Sequence, residues 1–192
     1  TASASDPTAF VRAGSAPTTP PLGVLPDLIP LPAWSIGITH QAGHDVLGFA
    51  ATVWAGGNGP LVVEGYRRPN SGVMDAFQYF LDRQNRVIGR ARAGTFLWDS
   101  RLGHNHWHFQ QFAEYSLVNS QTRATVLSQK QSFCLGPTDA IDLLLPGASM
   151  GFPPYGTQCG DQSAIWIREA LPLGWGDTYL QVVAGQAFDV TN

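Results

Sequence analysis

Residues 55–80 run Ala55-Gly-Gly-Asn-Gly-Pro60, Leu61-Val-Val-Glu64, Gly65-Tyr-Arg67, Arg68-Pro-Asn-Ser-Gly72, Val73, Met74-Asp-Ala-Phe-Gln-Tyr-Phe80. Two clusters of Gly, Pro, Asn and Ser bracket an apolar run too short for a helix, and a second such run follows the second cluster. That is the grammar of strands joined by turns. Working outward, the same punctuation recurs. Strands are expected over Trp34–Ile38, Val46–Val53, Leu61–Glu64, Met74–Phe80, Arg86–Ile88 and Thr95–Trp98. Further runs are a long one from His104 to Val118, then Ala124–Phe133, Ala164–Ile167 and Tyr179–Val183. Helical periodicity is nowhere sustained. The expected fold is all-β, an antiparallel β-sandwich with long loops and little helix. Residues 136–160 carry many Gly and Pro and read as a long loop, with a helical turn expected near Asp139–Leu144. Residues 1–22, rich in Thr, Ala, Ser and Pro, read as an extended or flexible arm ahead of a domain over 23–192.

Composition narrows the function classes. Charged residues make up 13% of the chain and hydrophobic residues 44%, which suits a packed domain. The formal net charge of −3 is spread along the chain without a basic stripe, so nucleic acid is not an expected partner. Nothing approaches the roughly 20 apolar residues of a membrane span. Cys134 and Cys159 are the two cysteines; their wide spacing permits one disulfide, as in an oxidising compartment, or two buried thiols. Of the eleven basic residues ten are Arg, which leaves Lys130 as the single lysine.

The chemically informative block is Gly103-His-Asn-His-Trp-His-Phe109. On a strand, His104, His106 and His108 share one face, while Asn105, Trp107 and Phe109 share the other. Three imidazoles on one face suit a borderline transition metal. A flat strand would hold the outer two Cα atoms roughly 13 Å apart, so a shared ion requires a bend, a bulge or a strand end, which Gly103 would assist. The block offers imidazole and no carboxylate, which favours Cu(II), then Zn, over an iron facial triad. His40 and His44 read as surface histidines.

The run His104-x-His-x-His108 followed by Phe112-Ala-Glu-Tyr115-Ser-Leu117 resembles the copper-binding block of lysyl oxidases, in the form seen in their microbial branch. Lys130-Gln-Ser-Phe-Cys134-Leu is similar to the segment that holds the lysine of that family's built-in quinone. Tyr155-Gly156, ahead of Ile165-Trp166-Ile167, is similar to the segment that supplies its tyrosine, and Gly176-Asp-Thr-Tyr-Leu180 to one of its strands. The blocks fall in the family's order and span about Pro60 to Asn192.

The resemblance implies a copper ion on His104, His106 and His108, and a lysine tyrosylquinone formed from Lys130 and Tyr155. It implies a secreted primary amine oxidase that takes peptidyl lysine or small amines with O2 and releases aldehyde, ammonia and hydrogen peroxide. Fusing the lysine to the ring requires a neutral amine, favoured by burial or a nearby cation. Asp161, the carboxylate nearest Tyr155 in sequence, is the candidate general base. Lys130 precedes Cys134 by four residues and Tyr155 precedes Cys159 by four. A disulfide, with Cα atoms about 5.5 Å apart, would bring the two segments together.

Departures accompany the resemblance. The stretch between Lys130 and Tyr155 is shorter than in the animal enzymes, which also hold several disulfides. The family continues into another strand and tail beyond Asp189-Val-Thr191, so the catalytic domain reads as cut short. Tyr179 rivals Tyr155 as the quinone tyrosine, but its strand setting suits a core residue. The competing functions are a non-catalytic extracellular β-sandwich holding copper, an adhesive module holding zinc, and a cupin-type iron oxygenase needing a carboxylate beside the histidines.

Overall fold

The structure, a computed structural model, describes residues 22–68, 70–101, 103–148, 150 and 156–191. The expected N-terminal arm lies outside these apart from Leu22, which opens a single 3-10 turn, Leu22–Val24. Two antiparallel sheets face each other as expected. One is built along the long strand β3 (His44–Gly57). β1 (Pro26–Pro30) and β2 (Trp34–Gln41) pair with it in succession, as do β11 (Trp175–Tyr179) and β12 (Ala187–Asp189). The short β9 (Asp139–Ala140) adds to β11.

The second sheet has the order β10-β4-β5-β6-β7-β8. Its strands are β4 (Leu61–Arg67), β5 (Val73–Leu81), β6 (Val87–Asp99), β7 (His106–Val118), β8 (Thr125–Phe133) and β10 (Trp166–Leu171). Period-2 alternation turns Leu61, Val63, Met74, Phe96, Trp107, Phe109, Phe133, Ile167 and Leu171 into the core. Burial of these side chains is the main stabilising term, at roughly 1.5–3 kcal/mol for each large one.

Four expectations are corrected. Arg86–Ile88 and Thr95–Trp98 belong to the one strand β6, kept in register with β5 across two bulges. No helical turn forms at Asp139–Leu144, because Asp139 and Ala140 pair with Gly176 and Trp175 as β9. The run expected at Tyr179–Val183 begins earlier and ends at Tyr179, as β11. Ala187–Asp189, not expected as a strand, pairs with Val46–Gly48.

Candidate metal centre

β6 and β7 form a hairpin with Leu97 opposite His108, Trp98 opposite Trp107 and Asp99 opposite His106. Trp107 and Phe109 are buried inward, so the same alternation sends His106 and His108 to the outer face of the sheet. His104 is not on the strand; it lies in the turn, where its N–H donates to the Arg101 carbonyl at 2.9 Å. Gly103 (φ 86°) and Asn105 (φ 52°) take left-handed backbone on either side of it. The strand end that the spacing required is supplied here.

The three rings therefore converge. Ring centroids are 4.9 Å apart for His104 and His108, 4.8 Å for His106 and His108, and 5.6 Å for His104 and His106. One nitrogen from each lies within 4.8 Å of the others. His104 Nδ1 is 3.1 Å from His108 Nε2, close to the separation of about 3 Å between two nitrogens that each sit about 2.0–2.1 Å from one ion. The donor set fits a copper or zinc ion. Burial, reinforced by His106, pushes the His108 imidazole down to about 4, and burial with the neighbouring His104 lowers His106 as well. Both rings are then neutral near pH 7, the form that binds metal.

Asp99 escaped the sequence reading, which found no carboxylate in the block. Its Oδ2 is 3.3 Å from His108 Nδ1 and 3.5 Å from His104 Nδ1. Arg101 grips both carboxylate oxygens, through Nε at 2.9 and 3.0 Å and a terminal nitrogen at 2.6 Å. That guanidinium holds the Asp99 carboxyl well below the usual range. The signal available was the hairpin: a turn over 100–105 puts Asp99 opposite His106.

Lys130 reaches the same place from β8. Between the pairs Phe109–Phe133 and Ala113–Gln131, β7 carries two extra residues, with Gln111 at φ 54°. An even insertion keeps the faces in phase, so Lys130 points outward like the histidines. Lys130 and His108 both line an open depression of about 330 Å³, with Asp99, Arg101, Gln110 and Ser132. Lys130 is exposed and stands opposite Glu114.

Tyr155 lies outside the described residues. The chain resumes beside the end of β8, where Thr157 Oγ1 donates to the Leu135 carbonyl at 2.6 Å. Cys134 and Cys159 form a disulfide with Cα atoms 5.9 Å apart, a bond typical of oxidising compartments. The two sulfurs and the buried Glu169 carboxylate cluster within 4.8 Å, but the bonded sulfurs are not thiolate ligands.

Asp161 is exposed, and its Oδ1 accepts from Ser163 N at 2.7 Å and Ser163 Oγ at 2.6 Å. These bonds lower its pKa and commit the carboxylate to a turn whose carbonyl holds the inward Trp107 indole, 2.9 Å away. Tyr179 is a core residue as expected, with its ring 4.0 Å from that of Phe133. Its hydroxyl is 2.8 Å from Asp177 Oδ2 and 2.9 Å from the Cys134 carbonyl. His40 and His44 are exposed beside Asp45 and Asp189, surface histidines as read from the sequence. No helix among the described residues is long and apolar enough to cross a membrane. No protein-family model matches the chain, and no curated protein matches it.

Proposed function

We propose that this chain is a secreted, copper-dependent primary amine oxidase of the lysyl oxidase type. The observation that carries the reading is the convergence of His104, His106 and His108 beside a depression shared by His108 and Lys130. The ordered sequence blocks and the Cys134–Cys159 disulfide support it. The overall reaction takes a primary amine, O2 and water to an aldehyde, ammonia and hydrogen peroxide. The quinone built from Lys130 and Tyr155 would supply the electron sink.

The chain's own residues have separate tasks. His104, His106 and His108 would hold copper, with His106 and His108 already neutral and so free of proton competition. Lys130, exposed at the depression, would supply the amine that joins the Tyr155 ring. Asp161 serves a turn, so the proton-abstracting base is sought among groups at the depression.

The second reading, a copper- or zinc-binding sandwich without catalysis, is favoured by one observation: the imidazole set is complete without any quinone. A cupin-type iron site would need its carboxylate in the inner sphere. Asp99 Oδ2 stands 3.3 Å from His108 Nδ1 and 3.5 Å from His104 Nδ1, but the group whose ligand atoms all converge within 4.8 Å is the three imidazoles without it.

The deciding experiment is a peptide map by mass spectrometry after copper loading in air. A covalent Lys130–Tyr155 peptide pair that survives disulfide reduction supports the oxidase. Unmodified peptides from protein with copper on the three histidines favour the binding protein.

A further inference from the structure

We propose that Asp99 is a positioning residue of the metal centre: fixed by Arg101, its carboxylate keeps the His108 proton on Nδ1 and reserves Nε2 for the ion. This rests on the three-imidazole reading and deepens it.

A neutral imidazole carries one N–H and one lone pair, and the hydrogen bond made by one nitrogen decides which is which. His108 is almost fully buried, with 4% of its side chain exposed, so bulk water does not make that choice. The ionised Asp99 carboxylate is acceptor-only, and its Oδ2 lies 3.3 Å from His108 Nδ1. It calls for a proton on Nδ1. Nε2 then keeps its lone pair and is the nitrogen 3.1 Å from His104 Nδ1, on the side where the rings converge.

Asp99 is itself held. The Arg101 side chain takes both of its oxygens, and the Arg101 backbone N–H donates to Oδ1 at 2.9 Å. The carboxylate cannot swing to the far side of the ring without breaking these bonds. Since the two nitrogens of one imidazole point to different sides, a carboxylate beside Nδ1, here at 3.3 Å, stands behind a ligand that binds through Nε2. Asp99 is thus outer-sphere toward His108; its Oδ2 also lies 3.5 Å from His104 Nδ1, but the ligand atoms that all converge within 4.8 Å are those of the three imidazoles, a set that favours copper or zinc over Fe(II).

The test compares the wild type with Asp99→Ala, Asp99→Asn and His108→Ala. Copper(II) affinity is measured by chelator competition, and the His108 tautomer by 15N NMR of the copper-free protein. The expected wild-type tautomer is Nδ1–H. Asp99→Ala is expected to mix the tautomers and weaken copper binding by about 10–100-fold. Asp99→Asn, whose amide oxygen still accepts, is expected to fall between. An Nε2–H tautomer in the wild type, or wild-type affinity in Asp99→Ala while His108→Ala loses copper, overturns the role of Asp99. Undiminished copper binding in His108→Ala overturns the three-imidazole reading instead. Should Asp99→Ala fail to fold, the wild-type tautomer together with the Asp99→Asn affinity decides.

Discussion

The backbone N–H of Trp107, the residue between His106 and His108, donates to the carbonyl oxygen of Cys159 at 3.0 Å. The strand that carries two of the three histidines is thereby tied to the disulfide. Cys134 and Cys159 close a chain segment with a sequence separation of 25, for which loop-closure entropy suggests about 3–4 kcal/mol. Replacing both cysteines with serine is expected to lower unfolding free energy by roughly that amount and to weaken copper binding. Denaturant unfolding read beside chelator competition checks both, and unchanged copper affinity would show that the metal strand does not depend on the bond.

Gly103 isolates the contribution of backbone. A Cβ added there would meet no atom within 4 Å, yet φ is 86°, so Gly103→Ala costs about 1–2 kcal/mol through conformation alone. Because this turn returns His104 to the other rings, copper affinity should fall along with stability. Equal loss in apo and copper-bound stability would separate the turn from the site.

Lys130 and Tyr179 give opposite expectations. Lys130→Met should abolish any cross-linked peptide pair while copper affinity stays within a few-fold, since the ion would be held by the three converging imidazoles. Tyr179→Phe removes a hydroxyl bonded to Asp177 and the Cys134 carbonyl. It should cost about 1–3 kcal/mol and leave the cross-link intact. Mass spectrometry after copper loading distinguishes them; a cross-link lost in Tyr179→Phe and kept in Lys130→Met would reverse the assignment.

Stability should depend on pH through Asp177. Burial raises its carboxyl to about 7, against bonds from Tyr179 and Gly136 that act the other way. The folded state therefore holds this proton more tightly than the unfolded chain, whose value is near 3.8. That contribution is fully present below about pH 4 and is lost as pH rises through about 7, to a limit of about 4 kcal/mol. Glu169, also raised by burial, adds in the same sense. Asp177→Asn should flatten the decline between pH 5 and 8 in a thermal-melt series, and an unchanged slope would refute this account.

Much of the fold was legible because period-2 alternation is local. That Trp107 and Phe109 share one face while His106 and His108 share the other needs the strand alone. The merger of Arg86–Ile88 with Thr95–Trp98 was not legible, because the bulges that carry β6 past Gly94 are set by its pairing with β5. The turn expected at Asp139–Leu144 likewise lost to pairing with β11, a partner more than thirty residues away.

The sequence by itself determined the all-β architecture, the shared strand face of His106 and His108, and the only cysteine pair available for a disulfide. Each follows from residue identity, residue count or the alternation of neighbours along a strand. Tertiary structure alone decided that His104 folds back through left-handed backbone, that Asp99 backs His108, and that Lys130 shares their depression. Those relationships depend on hairpin closure, strand register and an even-numbered bulge, which set distances between residues that no local periodicity connects.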